Sequence, residues 1–443
     1  MLVCVFRAAI PVEMSLEKRA ILKPSEDPFY KPDPGYESNP VGTILRTRIL
    51  NNQVGILIFA AKVQKTIQLL VRSEDTHGNA NAIVTTIFVP YNADPTKLLS
   101  FQVAEDSASF DCSPSYAFQV GASLDTVTTS QLEQAFMYAP LEKGWYVVAP
   151  DYEGPTSSFG VGGQAGKATL NSVRAALASG NLTGISPNAK VSYWGYSGGS
   201  LATGWAALLQ PTYAPELQKN SVGFAYGGIL ASVASTAKTN MGGLFAGFVV
   251  AAINGLSTQY PALDAAIQQQ TRPEKLAEFR LAKHMCTIEE LPFYAFRSWN
   301  YYFAAGSLVL NLPAVVDCTN DNDMVLSKLV PQTPLFFYNS RFDEILDSTV
   351  ADKLYSRLCA AGVTIDYRQD ILGGHLTQYV LGGGSAWTWI QARMAGTPLA
   401  SGCRKTTSLT NILSPGGLSG FSSTVIGILL ALVGKPLGPD IVF

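Results

Sequence analysis

The spacing of apolar positions changes along the chain, and the changes outline its elements. Residues 20–45 are rich in Pro, Asp, Tyr and Gly and read as an extended arm over the surface. Runs of β-branched and aromatic residues at Val54–Ala61, Ala82–Pro90 and Leu98–Val103 predict strands. Gln131–Leu141 and Lys167–Ala178 carry helical spacing. Between them, Trp145–Gly154 is a short apolar run closed by Pro and Asp, which suits a buried strand. Lys190–Trp194 predicts another strand and Leu201–Leu209 the helix after it. Such alternation implies an α/β fold whose mostly parallel sheet is covered on both faces.

The alternation stops near Gly228. From Ile229 to Asn311 the chain is rich in Ala, Gly and Leu and mainly helical, so a helical insertion is expected there. Strands resume at Pro334–Tyr338 and Val363–Tyr367. From Ala400 onward the composition is Gly-, Pro- and Ser-rich, with one apolar turn near Ile426. The expected division is a leader or pro-segment at 1–19, a core in two parts at 20–228 and 312–443, and a cap at 229–311. No internal repeat is present.

Composition narrows the class. Apolar residues make up 47% and charged residues 14%, which is enough apolar side chain for a large core. The net charge of −2 includes no basic run, so nucleic acid is not an expected partner. The most apolar runs, Leu244–Ile253 and Val425–Val433, fall short of the roughly 18 residues a membrane span needs, and no transmembrane segment is expected. Met1–Phe6 is apolar, but Arg7 interrupts it, which makes a weak leader. Lys18-Arg19 is a candidate dibasic processing site. Of the six cysteines none forms a C-x-x-C pair, and widely spaced cysteines fit either long-range disulfides or buried thiols.

The chemistry centres on Gly195-Tyr-Ser197-Gly-Gly199, directly after the strand Lys190–Trp194. A serine on a tight strand-to-helix turn holds its Oγ above the sheet, and flanking glycines remove the Cβ atoms that would clash there. Its hydroxyl needs a histidine to take the proton. The chain has three histidines, and this architecture orders the partners as Ser, acid, His. His77 precedes the serine, and His284 lies in the helical insertion. His375 sits in a loop after a strand, where a triad histidine belongs. The acid is expected just past the strand ending at Tyr338, where Asp343, Glu344 and Asp347 compete. Asp343 comes first after the turn and is preferred. Backbone N–H groups of Gly198 and of Asp106 or Ser107 would receive the oxyanion.

One motif invites a different reading. Gly160–Lys167 mimics nucleotide-binding loops, but Pro155–Phe159 separates it from the strand, and Val161 and Ala168 break a P-loop. It reads as a flexible entry to the following helix.

Taken together, EDPFY from Glu26, AEDSASFDCSPSY from Ala104, GYSGG from Gly195, YAPEL from Tyr213, DEI from Asp343, GHLT from Gly374 and GKPLGP from Gly434 resemble the fungal secretory lipases of the Candida lipase A type. The resemblance implies an α/β-hydrolase core with a helical cap or lid between nucleophile and acid. It implies a triad of Ser197, Asp343 and His375 and an oxyanion hole on Asp106 and Gly198. It also implies disulfides Cys112–Cys286 and Cys359–Cys403, with Cys4 and Cys318 left over.

The expected function is therefore carboxylic ester hydrolysis without metal or cofactor, most of all triacylglycerol hydrolysis by a secreted monomer acting on lipid. The alternative is an esterase that deacetylates a small secondary metabolite, and that reading would keep the chain inside the cell. The apolar segment Gly242–Leu256 is either an acyl-chain wall, a surface that meets lipid, or a buried helix. Asn181-Leu-Thr183 is a glycosylation sequon.

Overall fold

A computed structural model describes residues 21–51, 53–126 and 130–441. The candidate leader, Lys18-Arg19 and Cys4 lie outside the described residues. Ten strands form one sheet: β1 (Ile44–Ile49), β4 (Lys65–Glu74), β5 (Ala80–Val89), β6 (Lys97–Gln102), β7 (Tyr146–Pro150), β8 (Lys190–Tyr196), β9 (Ser221–Gly227), β10 (Leu335–Ser340), β11 (Ile365–Asp370) and β12 (Cys403–Ser408). Their order is β1-β4-β5-β7-β6-β8-β9-β10-β11-β12. β1, β4, β5 and β7 pair antiparallel, and everything from β7 to β12 is parallel.

Strand periodicity sends alternate side chains to opposite faces, and each face has its own core. On β8, Val191 and Tyr193 join a cluster with the helices Gly162–Ala178 and Gly198–Tyr213. Trp194 and Tyr196 join the opposite cluster with Leu132–Glu142 and His375–Ala395. Because both faces are covered, β7 and β8 are buried almost throughout. That is why they read as continuous apolar runs.

The structure departs from the sequence reading in several places. Val54–Ala61 is not one strand but a hairpin, β2 (Val54–Ile56) and β3 (Phe59–Ala61), turning at Leu57-Ile58. The Gly160–Lys167 stretch is no flexible entry, since the helix starts at Gly162. Its glycines serve close packing: a Cβ on Gly162 would lie 2.0 Å from Trp205 Nε1, and one on Gly166 2.7 Å from the Trp205 backbone. β1, β4, β9 and β12 escaped prediction. β9 carries three aromatic or small residues beside glycines, and β12 is a largely exposed edge whose polar residues show no buried run.

Between β9 and β10 the chain is helical, as expected, and the layer continues past residue 311. Helix Pro313–Asp321 packs against Pro261–Gln270. The apolar helix Ala246–Leu256 is mostly buried in this layer. The apolar turn near Ile426 is in fact an 18-residue helix, Pro415–Leu432. Pro415 at its first turn and the Ser414 hydroxyl accepting the Gly417 N–H start it, a signal hidden among glycines and serines. By length and composition alone it could cross a membrane, and it is the one such helix among the described residues. It packs on His375–Ala395 and Leu132–Glu142.

Candidate active site

Four loops at the carboxyl ends of parallel strands converge near β6 and β8, where open α/β sheets place ligands. Ser197 follows β8 with φ 54° and ψ −122°. A serine rarely adopts this conformation, so the surroundings must hold it. The Ser200 hydroxyl does part of this, donating to Ser197 O at 2.5 Å. Crowding does the rest: a Cβ on Gly195 would lie 2.3 Å from Gly199 O, and one on Gly199 2.0 Å from Gln102 O.

His375 Nε2 lies 2.8 Å from Ser197 Oγ, and Nδ1 lies 2.7 Å from Asp343 Oδ2. Asp343 Oδ1 accepts the backbone N–H groups of Ile345 and Leu346 at 2.9 and 2.7 Å. An ionised carboxylate only accepts, and beside one the neutral imidazole would carry its proton on Nδ1 and turn Nε2 to the hydroxyl as acceptor. The histidine and aspartate side chains are 2% and 0% exposed.

The three competing acids divide the work. Glu344 Oε2 accepts the His375 N–H at 2.6 Å, at the start of the helix that carries the imidazole. Asp347 accepts the Thr349 N–H at 2.9 Å and caps Ser348–Ala360. Only Asp343 reaches the ring. Sequence reasoning named Glu344 only as a rival for the acid and did not foresee its bond to the His375 backbone, and it missed Tyr196, whose hydroxyl donates to His375 O at 2.7 Å. Of the other histidines, His77 meets Gln259 O at 2.7 Å and His284 is exposed in the turn Leu281–His284.

On the other side of Ser197, the Asp106 carboxyl packs against Gly198. A Cβ on that glycine would lie 1.7 Å from Asp106 Oδ1. Asp106 also has positive φ, 52°. The helical layer fastens this loop. Thr287 Oγ1 donates to Glu105 O at 3.0 Å, Ser107 Oγ donates to Met285 O at 2.8 Å, and Cys112 is bonded to Cys286. Cys359 is bonded to Cys403, and Cys318 is a buried free thiol. Asn181 is exposed on the short helix Gly180–Thr183.

Burial raises the pKa of several acids around this loop. The Asp106 carboxyl is pushed up to about 7, with nearby His375 pulling the other way. Asp151 is also raised to about 7 by burial. Glu105, Glu153 and Glu290 are raised well above the usual range by burial and by their acidic neighbours. Burial raises Glu133 as well, although it accepts the Ala104 N–H at 3.0 Å.

One space adjoins Ser197, and a second borders it. The first, about 1160 Å³, is bounded by Ser197, His375, Asp106, Phe136, Leu376 and Phe421 among others. The second, about 840 Å³, lies within the helical layer between Val249, Leu256, Ile267, Trp299 and Phe303. Phe248 borders both.

The sheet, its crossovers and the loops above it define an α/β-hydrolase. The secretory lipase family model matches residues 118–402. Lipase 2 of Candida albicans is 43% identical over 94% of this chain and 91% of its own length. Lipase A of Arthroderma benhamiae is 39% identical over 97% of this chain and 92% of its own. The structure of Candida antarctica lipase A in its closed state superimposes with a TM-score of 0.83 at 27% identity, covering 96% of this chain and all of that one. The chain belongs to the secretory lipase family, and with it to the lipase and esterase hydrolases.

Proposed function

We propose that the protein hydrolyses triacylglycerols through a Ser197–His375–Asp343 triad and an acyl-enzyme. The observation that carries this reading is the unbroken pair of hydrogen bonds from Ser197 Oγ through His375 to Asp343. Ser197 Oγ attacks the ester carbonyl while Nε2 takes its proton. Asp343 stabilises the imidazolium without accepting the proton itself. Backbone N–H groups of Gly198 and Asp106 receive the oxyanion, a contribution worth roughly 10²–10³ in kcat per donor. The imidazolium then protonates the leaving alcohol. Water, activated by the same Nε2, releases the acid and restores the serine.

The apolar space beside Phe248 supports a long acyl group over an acetyl group, because its lining offers almost no polar partner for a small ligand. The secretory lipase family and the two disulfides support secretion, and Asn181 is then accessible to a glycan. The cap role of the helices after β9 belongs to the same reading.

The test is a chain-length series of p-nitrophenyl esters with wild type and Ser197→Ala. The variant is expected to lose turnover at every length while keeping its circular dichroism. Wild type is expected to prefer octanoyl and longer esters over acetyl. Turnover by Ser197→Ala near the wild-type rate would remove the serine from the mechanism. A preference for acetyl would move the enzyme to the deacetylase reading.

A further inference from the structure

Helix Pro415–Leu432 is inside out. It buries Gly417, Gly420, Gly427 and Ala431, and it turns Leu418, Ile426 and Leu429 outward. A helix held to a core by apolar burial does the reverse. Backbone proximity holds it instead: a Cβ on Gly420 would lie 1.9 Å from Gly384 O on the helix that begins at His375. Leu418 and Leu429 are each 56% exposed, and no charged residue occurs between Lys405 and Lys435.

The β2–β3 hairpin repeats the pattern independently. Its turn has Leu57 at φ 55°, a conformation usually given to Asn or Gly, followed by Ile58 at 82% exposure. The Leu57 N–H donates to Gln131 Oε1 at 3.0 Å, beside Leu132, and β3 packs against the inverted helix.

Both features run into the mouth of the Ser197 pocket. Leu132, Leu376 and Val380 line that pocket and are also exposed. The inverted helix lines it from its other side through Phe421 and Ile428. Through Leu132, Phe421 and Ile428 the exposed apolar surface reaches the catalytic opening, whereas Ile426 lines a separate hollow with Lys97, Glu142 and Lys143.

We propose that this uncharged rim, formed by the hairpin tip and the outer face of Pro415–Leu432, seats the enzyme mouth-down on a neutral lipid phase. The proposal rests on the ester-hydrolase reading of the pocket. A second copy on this face would cover the opening through which substrate enters. A membrane-spanning role would strip the helix from the one that carries His375. A lipid surface uses the exposed leucines and delivers the ester at the same time.

The test is flotation of the full chain with phosphatidylcholine vesicles containing triolein, at low and high salt. Wild type is expected to bind equally at both, because no charge takes part. Leu418→Ser/Leu429→Ser and, separately, Ile58→Ser are each expected to lower partitioning by roughly tenfold or more, given the apolar area withdrawn. Turnover of soluble p-nitrophenyl butyrate is expected to stay within about twofold of wild type, since none of these residues lines the pocket. The two variants lie on separate elements, so either one that remains active decides the question. Unchanged partitioning in an active variant overturns the docking surface alone. A wild-type dimer that Leu418→Ser/Leu429→Ser converts to monomer, measured by light scattering, overturns it in favour of a second copy. Wild type without ester turnover overturns the hydrolase reading, and partitioning does not enter that result.

Discussion

Two loops flank Ser197 and hold their acids in opposite ways. After β10, Asp343, Glu344 and Asp347 each accept at least one backbone N–H, and Asp343 also meets the imidazole. After β6, the carboxyl oxygens of Glu105 and Oδ1 of Asp106, like those of Glu290 on the helix Thr287–Tyr294 packed against that loop, find no hydrogen-bond partner among the described residues. The difference follows from what each side must do. In the proposed mechanism a carboxylate beside His375 stabilises an imidazolium, and the backbone donors on Asp343 hold it in place for that. In the same mechanism a carboxylate beside the oxyanion would repel the charge forming there, and burial shifts these groups toward the protonated form.

The sharpest way to break the comparison is to remove charge from the His375 side. Asp343→Asn should lower kcat by about 10⁴ with the fold intact, because the wrong tautomer then faces the serine. Glu344→Gln, measured beside it, should cost only about tenfold, since it weakens one charge-assisted bond to the His375 backbone. Equal losses would show that the two acids share one role.

A smaller effect is expected from the other side. Gly198→Ala would drive a methyl into the Asp106 carboxyl, whose short buried side chain has little room to give. Displacing that loop should lower kcat by about 10²–10³ and leave KM for short soluble esters nearly unchanged. A larger rise in KM than fall in kcat would make the loop a binding element and not a receiver of developing charge.

The mildest test is pH. Asp106 and Asp151 have folded-state pKa values raised from 3.8 to about 7, so between those limits the native chain holds more protons than the unfolded one. Their stabilising contribution is complete below about pH 4 and is lost as pH rises toward 7. Denaturant midpoints taken from pH 4 to pH 7 should fall on this account, and Asp106→Asn should flatten the fall. An unchanged slope in that variant would mean that Asp106 is ionised throughout.

The sequence was most legible where chemistry is local. Gly195–Gly199 needs its glycines because of contacts within a few residues and with one neighbouring strand, and the order of Ser197, acid and His375 follows from strand succession. It was least legible where packing reverses the usual signs. Gly162 and Gly166 looked like a loop because their partner, Trp205, is distant in sequence. Val425–Val433 looked like a short apolar turn because the glycines and serines before it mark a tight helix contact as well as they mark a loop.

By itself, then, the sequence singled out Ser197, His375 and the α/β succession that brings them together, since a turn geometry and a chain order are written in neighbouring residues. It preferred Asp343 among three neighbouring acids. The tertiary structure brought Asp343 to the imidazole and alone gave Glu344 to the backbone behind it and Asp347 to a helix cap, because the place of each adjacent carboxyl depends on which donors reach each oxygen. It alone turned the leucines of Pro415–Leu432 outward, because which face of a helix is buried depends on how closely its neighbour's backbone can approach.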